Sequence, residues 1–137
     1  MRIGLFAHRS YVEARGLPGS IADLAHHRLI GFDRDDTSFR AVGKTGFKIA
    51  RDMFGFRSDS DPAQLAALRA GIGILGCQTA IAAQDSELVP VLPGQVSFRM
   101  EIWLAMHEDL RATKRVRLLF DHLAKGLKDY MDRSRMR

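Results

Sequence analysis

The segment of this sequence with the clearest chemistry is Ser58-Asp59-Ser60, which runs into Asp61-Pro62. Ser60 or Asp61 would cap a helix there, and Pro62 fits its first position. Free N–H groups and small hydroxyls at a helix start suit a carboxylate or another anionic group. The two aspartates beside them leave a neutral or zwitterionic ligand open as well. Phe32-Asp33 closes a predicted strand and offers a second patch on the same rim, because open α/β sheets bind ligands outside the carboxyl ends of their strands. Plain capping and turn formation is the competing use of both segments.

The remaining motifs are weaker. Gly71-Ile72-Gly73-Ile74-Leu75-Gly76 satisfies the GxGxxG pattern. A dinucleotide-binding loop must follow a strand and open a helix, so that pyrophosphate meets helix N–H groups. Here a helical segment precedes the glycines, a strand follows them, and no acidic residue stands about twenty positions on. A helix C-cap and close backbone packing are expected instead. Gly43-Lys44-Thr45 ends like a phosphate loop, but Ser38 occupies the place of the first glycine and Phe39 to Val42 make the interior bulky. His8, His26, His27, His107 and His122 include no helical pair four apart and no HExxH. Asp33, Asp35 and Asp36 begin like a calcium loop without its glycine and distal glutamate. Cys77 lies in an apolar stretch, where inert burial is the default, and no GxSxG nucleophile turn occurs. The sequence therefore shows no catalytic constellation, metal site or cofactor motif.

Composition narrows the class further. The chain has 137 residues, 46% hydrophobic and 27% charged, which fits one globular domain and excludes disorder or a collagen-like array. Such a chain buries roughly two-thirds of its unfolded surface without staples. A single cysteine allows no internal disulfide and fits a reducing, cytoplasmic compartment. The uncharged stretch from Ala70 to Gln84 is too short for a membrane span, and the N-terminal apolar run is too short for a signal peptide. The net charge of +5 is concentrated at the end: His107 to Arg137 holds nine basic and five acidic residues. That excess could touch nucleic acid, and a solvated helix face explains it more simply.

Periodicity supplies the elements that must position these residues. Ile3, Leu5 and Ala7 read as a buried strand. Ser10 is placed to cap a short helix that stops at Gly16. Ser20 and Asp23 frame a single helical turn, and Arg28 to Phe32 is a strand. Asp33 to Ser38 reads as a polar loop, and Phe39 to Ile49 carries no clear pattern. Arg51 to Arg57 suggests a strand interrupted by Gly55. A helix follows to Gly71, then a strand over Ile72–Leu75, a short helix over Gln78–Ala83 and a strand over Leu88–Leu92. Ser97 to Met106 alternates, with Met100, Ile102, Leu104 and Met106 on one face. Val116, Leu119, Phe120, Leu123, Leu127 and Tyr130 mark an amphipathic final helix. Alternating strands and helices predict an α/β fold with a mainly parallel sheet.

In order, the segments FAHRSYVEARGLPGSIADLAHHRLIGFD, FRSDSDPAQLAALRAGIGILGCQTAIAA, LVPVLP and EIWLAMHEDLRATKRVRLLFDHLAKGL cover nearly the whole chain. Together they resemble the effector-binding (substrate-binding) domain of LysR-type transcriptional regulators. The resemblance implies a type 2 periplasmic-binding-protein-like architecture: two α/β lobes with a small-molecule cleft between them. It implies that residues 1–7 form the first crossover strand and 8–96 the second lobe. Residues 97–137 would be the return strand and C-terminal helix of the first lobe. It further implies that the family's N-terminal winged helix-turn-helix, its linker helix and most of the first lobe lie outside this sequence, which makes the chain a fragment of a regulator.

The cleft residues such a fragment would supply are His8, Ser10, Phe32, Asp33, Ser58, Asp59, Ser60 and Gly73. The effector is a small molecule; aromatic acids, amino acids and metabolic carboxylates serve in this family. DNA would be contacted only through the missing N-terminal domain, and no membrane is involved. Apolar surface on the return strand and on Val116, Phe120 and Leu123 would have lost neighbours, so a dimer or swapped assembly is expected. Two other readings remain: a stand-alone interaction module that pairs with full-length regulators, and a small α/β enzyme, which is the least supported.

Overall fold

Strand β1 (Arg2–His8) organises the sheet, because three other strands pair with it. The computed structural model describes residues 1–34 and 49–133. The other elements, in chain order, are α1 (Arg9–Arg15), β2 (Leu29–Gly31), β3 (Phe54–Arg57), α2 (Asp61–Arg69), β4 (Ile74–Gln78), α3 (Thr79–Ala82), β5 (Leu88–Val91), β6 (Ser97–Arg99) and α4 (Lys114–Arg133). Single 3₁₀ turns stand at Ala22–His26, Arg51–Met53 and Glu108–Leu110. The phosphate-loop-like Gly43-Lys44-Thr45 with Ser38, the acidic Asp35 and Asp36, most of Phe39–Ile49 and the last four residues of the tail lie outside the described residues.

The strand order is β3-β2-β4-β1-β5, with β6 sharing the outer edge of β1 with β5. β1 is antiparallel to β4, β5 and β6, whereas β2 pairs in parallel with β3 and β4. The expected mainly parallel sheet is thus corrected to a mixed one. The cause is a single strand: β2 to β6 all run the same way, and β1 runs against them from between β4 and β5.

Alternation along β1 puts Leu5 and Ala7 on one face and Phe6 on the other. Leu5 and Ala7 meet Leu29, Ile74 and Val91 beneath Tyr11 of α1 and Leu24 of the first 3₁₀ turn. On the opposite face Ile30, Leu75 and Cys77 pack under Ala67 and Leu68 of α2 and Ala82 of α3. Both faces are covered, which is why these strands read as apolar runs.

Local chemistry sets the helix ends. Ser60 caps α2, its hydroxyl accepting from Ala63 N at 3.4 Å, with Pro62 in the first turn. At the other end Gly71 takes φ +69°, Gly71 N donates to Leu68 O and Ile72 N to Ala67 O, which is a Schellman stop. A Cβ on Gly73 would lie 2.3 Å from Arg28 O, so only glycine lets β4 approach β2 there. The GxGxxG string is therefore a helix stop and a close packing point, not a phosphate loop.

Three expectations need correction. α1 is capped by His8, whose Nδ1 accepts from Ser10 N, because β1 runs straight into a helix that starts at Arg9 and leaves Ser10 inside its first turn. Arg51–Met53 is a 3₁₀ turn, not strand, and only Phe54–Arg57 pairs with β2. The alternating stretch 97–106 is strand only over Ser97–Arg99. The edge of β1 that it pairs with starts at Arg2, the last bond is Met100 N to Met1 O, and the alternation beyond it meets no ladder. Trp103 is consequently 84% exposed.

Candidate functional site

The carboxyl ends of β2 and β3 are joined by a polar network. Ser58 N donates to Gly31 O at 3.0 Å, and the Asp59 carboxylate accepts from Asp33 N and Arg34 N at 2.9 and 3.0 Å. Asp33 pairs with Arg57 and, at 3.6 Å, with Arg51. Ser60 N donates to Ser58 Oγ at 3.2 Å. The structure therefore brings Phe32, Asp33, Ser58, Asp59 and Ser60 together on one rim, with both carboxylates engaged by protein donors.

His8, Ser10 and Gly73 stand elsewhere. Ala7 pairs with Ile74 and Ile3 with Gln78, so His8 and Gly73 lie at the opposite end of β4 from the rim. At ~3.3 Å per residue that separation is about 13 Å. His8 and Ser10 are joined there by a 2.8 Å side-chain bond. Ser10 Oγ packs 2.6 Å from where a Gly71 Cβ would be.

Beside the rim opens a cavity of about 600 Å³, in the size range of small-molecule sites. Its walls are mostly apolar: Ile30 and Phe32 from the end of β2, Leu75 and Cys77 from β4, Leu65 from α2, Ile81 from α3. Phe32 is the one residue of the expected set that lines it. Burial pushes the Cys77 thiol up to about 11, which keeps it neutral and unreactive.

Two polar side chains of this cavity escape the sequence reading. Gln64, on α2, is 3% exposed and its Nε2 donates to Ser58 O at 2.6 Å. Gln78, at the end of β4, accepts from the Tyr130 hydroxyl of α4 at 2.6 Å. Burial raises the Tyr130 pKa, so the phenol stays a donor. The signal for Gln64 was available: it shares a helical face with Ala67 and Leu68, three and four positions on, and a polar residue on such a face demands a partner. Gln78 gave no such signal, because its bond spans 52 positions.

Away from the cavity, α4 is only half covered. Val116, Phe120, Leu127 and Tyr130 are half-buried, while Leu118, Leu119 and Leu123 are 61%, 57% and 43% exposed. Among the described residues no helix is long and apolar enough to cross a membrane, and no cluster of metal-ligating side chains occurs.

A covered sheet with an apolar cavity outside the carboxyl ends of its strands is the arrangement in which open α/β sheets commonly hold small molecules. The family model "LysR substrate binding domain" matches residues 1–128, and the chain belongs to that family. The fold is the type 2 periplasmic-binding-protein-like one, and solved structures share it. The regulatory domain of CrgA, a LysR-type transcriptional regulator from Neisseria meningitidis, matches with TM-score 0.73 and 20% identity over 92% of this chain and 64% of that one. A longer structure of CrgA matches with TM-score 0.74 and 22% identity over 92% of this chain and 45% of that one. The regulatory domain of AphB from Vibrio vulnificus gives TM-score 0.51 and 22% identity over 67% and 48%. No curated protein matches the chain. The chain thus spans less than two-thirds of the regulatory domains it resembles.

Proposed function

We propose that this chain is the ligand-sensing part of a LysR-type transcriptional regulator, acting in the cytoplasm. Residues 8–96 form the second effector lobe, 1–7 the crossover strand, and 97–137 the return to the first lobe. The effector sits in the cavity beside Phe32, with Asp33 and Ser58 to Ser60 shaping its rim. His8, Ser10 and Gly73 act at the far edge as cap and packing residues. The carrying observation is the apolar cavity at the strand ends of a chain that matches this family over 128 residues.

In an intact regulator, effector binding shifts the arrangement of lobes or protomers by its differential affinity for the two states. DNA is contacted by the family's N-terminal helix-turn-helix, and the chain performs no catalysis. A thermal-shift screen against small acids, amides and amino acids tests the reading. A stabilising compound without turnover supports it; chemical conversion of a stabilising compound contradicts it.

The exposed Trp103, Leu118 and Leu119 favour a second reading, a module that pairs with full-length regulators. Co-purification with a full-length relative supports that reading, and failure to co-purify removes it.

A further inference from the structure

We infer that helix α4 pairs with α4 of a second copy of this chain, antiparallel and about a two-fold axis near His122 and Leu123. Leu119 of each copy sits over Gly126 of the other. The inference is independent of where the effector binds and adds the geometry of a self-recognition surface.

The seam is written along one side of the helix. Leu119, Leu123 and Gly126 follow at steps of four and three, the spacing at which one helix meets another. All three are exposed, beside the half-buried Val116, Phe120, Leu127 and Tyr130. A glycine inside a 20-residue helix costs about 1 kcal/mol relative to alanine. Nothing in the described chain uses the space it leaves, because a Cβ at Gly126 would meet no atom within 4 Å. A missing side chain beside two exposed leucines makes a hollow in the helix surface, and a leucine from a facing helix fills it.

The register identifies the occupant. Leu119 and Gly126 lie equally far on either side of the midpoint between His122 and Leu123. One two-fold alignment therefore seats both leucines in both hollows, an isologous contact. The same alignment brings Arg115 to Asp129 of the other copy, within one residue, or ~1.5 Å along the axis. These two are separated by almost four whole turns and so share one side of the seam. Both are exposed, and neither has an ion pair among the described residues. Parallel pairing in register would instead set leucine on leucine, glycine on glycine and Arg115 on Arg115. Size and charge are thus both complementary to the same helix turned end for end.

Cross-linking of the full chain tests the geometry. Leu119→Cys and Gly126→Cys chains are oxidised separately and as an equal mixture. The native Cys77 is buried and its thiol stays protonated, so it adds no background. The mixture should form a disulfide dimer about tenfold faster than either variant alone, because like positions in the antiparallel pair stand about 10 Å apart along the axis. In sedimentation, Arg115→Asp should raise the dimer dissociation constant about fivefold, and Arg115→Asp with Asp129→Arg should restore it. A general loss of fold or solubility does not give that recovery. Disulfide formation that is absent, equal in all three samples, or fastest in a single variant overturns the inference, as does a double variant that associates no more tightly than Arg115→Asp.

Discussion

The Tyr130 hydroxyl donates to the Gln78 side-chain oxygen at 2.6 Å, joining helix α4 to the strand end that walls the cavity. It is one of the bonds that tie α4 to the sheet, together with the Met1 amino group 3.8 Å from Met131 Sδ. Tyr130→Phe removes the donor and leaves Gln78 Oε1 half-buried without one. The expected loss is about 1 kcal/mol of stability, with faster hydrogen exchange in α4 than in β1. Uniform loosening of both elements would show that the bond does not dock the helix.

His27 gives the fold a dependence on pH. Partial burial holds its pKa below the ordinary 6.5. Neutral His27 with an unprotonated Nδ1 accepts from the Tyr11 hydroxyl at 3.1 Å, and that hydroxyl accepts from Arg28 N at 2.9 Å. Between the folded and unfolded pKa values the unfolded chain binds more protons. Stability is therefore complete above about pH 6.5 and is lost as pH falls from there toward the folded value. Melting temperature should drop between about pH 8 and about pH 5, and His27→Gln should flatten the drop. An equally steep fall in the variant would place the effect elsewhere.

Gly73→Ala tests the close approach of β4 to Arg28. The added methyl meets Arg28 O at 2.3 Å, and the backbone has to move. Overpacking of this kind costs about 1–3 kcal/mol, read as a lower denaturant midpoint. Gly76→Ala is the control, because a Cβ there meets only Ile3 Cγ2 at 3.9 Å. Equal effects of the two changes would refute the packing role given to Gly73.

The uncovered face of α4 predicts self-association. Leu118, Leu119 and Leu123 lie together in the exposed half of the helix, with Trp103 further back in the chain. Sedimentation at micromolar concentration should show dimers or larger species, and Leu119→Glu should shift them toward monomer. A wild-type chain that sediments as a single monomer would contradict the expectation.

Some of this structure is legible in the sequence and some is not. Ser60, Pro62 and Gly71 announced both ends of α2, and the heptad-like spacing from Val116 to Tyr130 announced α4. These are local signals, written in capping chemistry and helical period. The reversed direction of β1 was hidden, because an apolar strand carries no mark of which way its neighbours run. The false strand beyond Arg99 has a similar origin: alternation states a preference, and only a partner edge turns it into a ladder. The candidate site divides in the same way. Phe32 and the Ser58–Ser60 turn followed from strand-end and cap logic. Gln64 and Gln78 owe their orientation to Ser58 O and to Tyr130, and the second partner is known only once the chain is folded.

The most direct measurement is a resonance map of the chain bound to whichever compound stabilises it most in the thermal screen. The account predicts that the largest backbone shifts fall at Phe32, Gln64, Cys77 and Gln78, around the cavity at the strand ends. Shifts gathered instead at His8, Ser10 and Gly73 would place the effector at the other end of the sheet and contradict it.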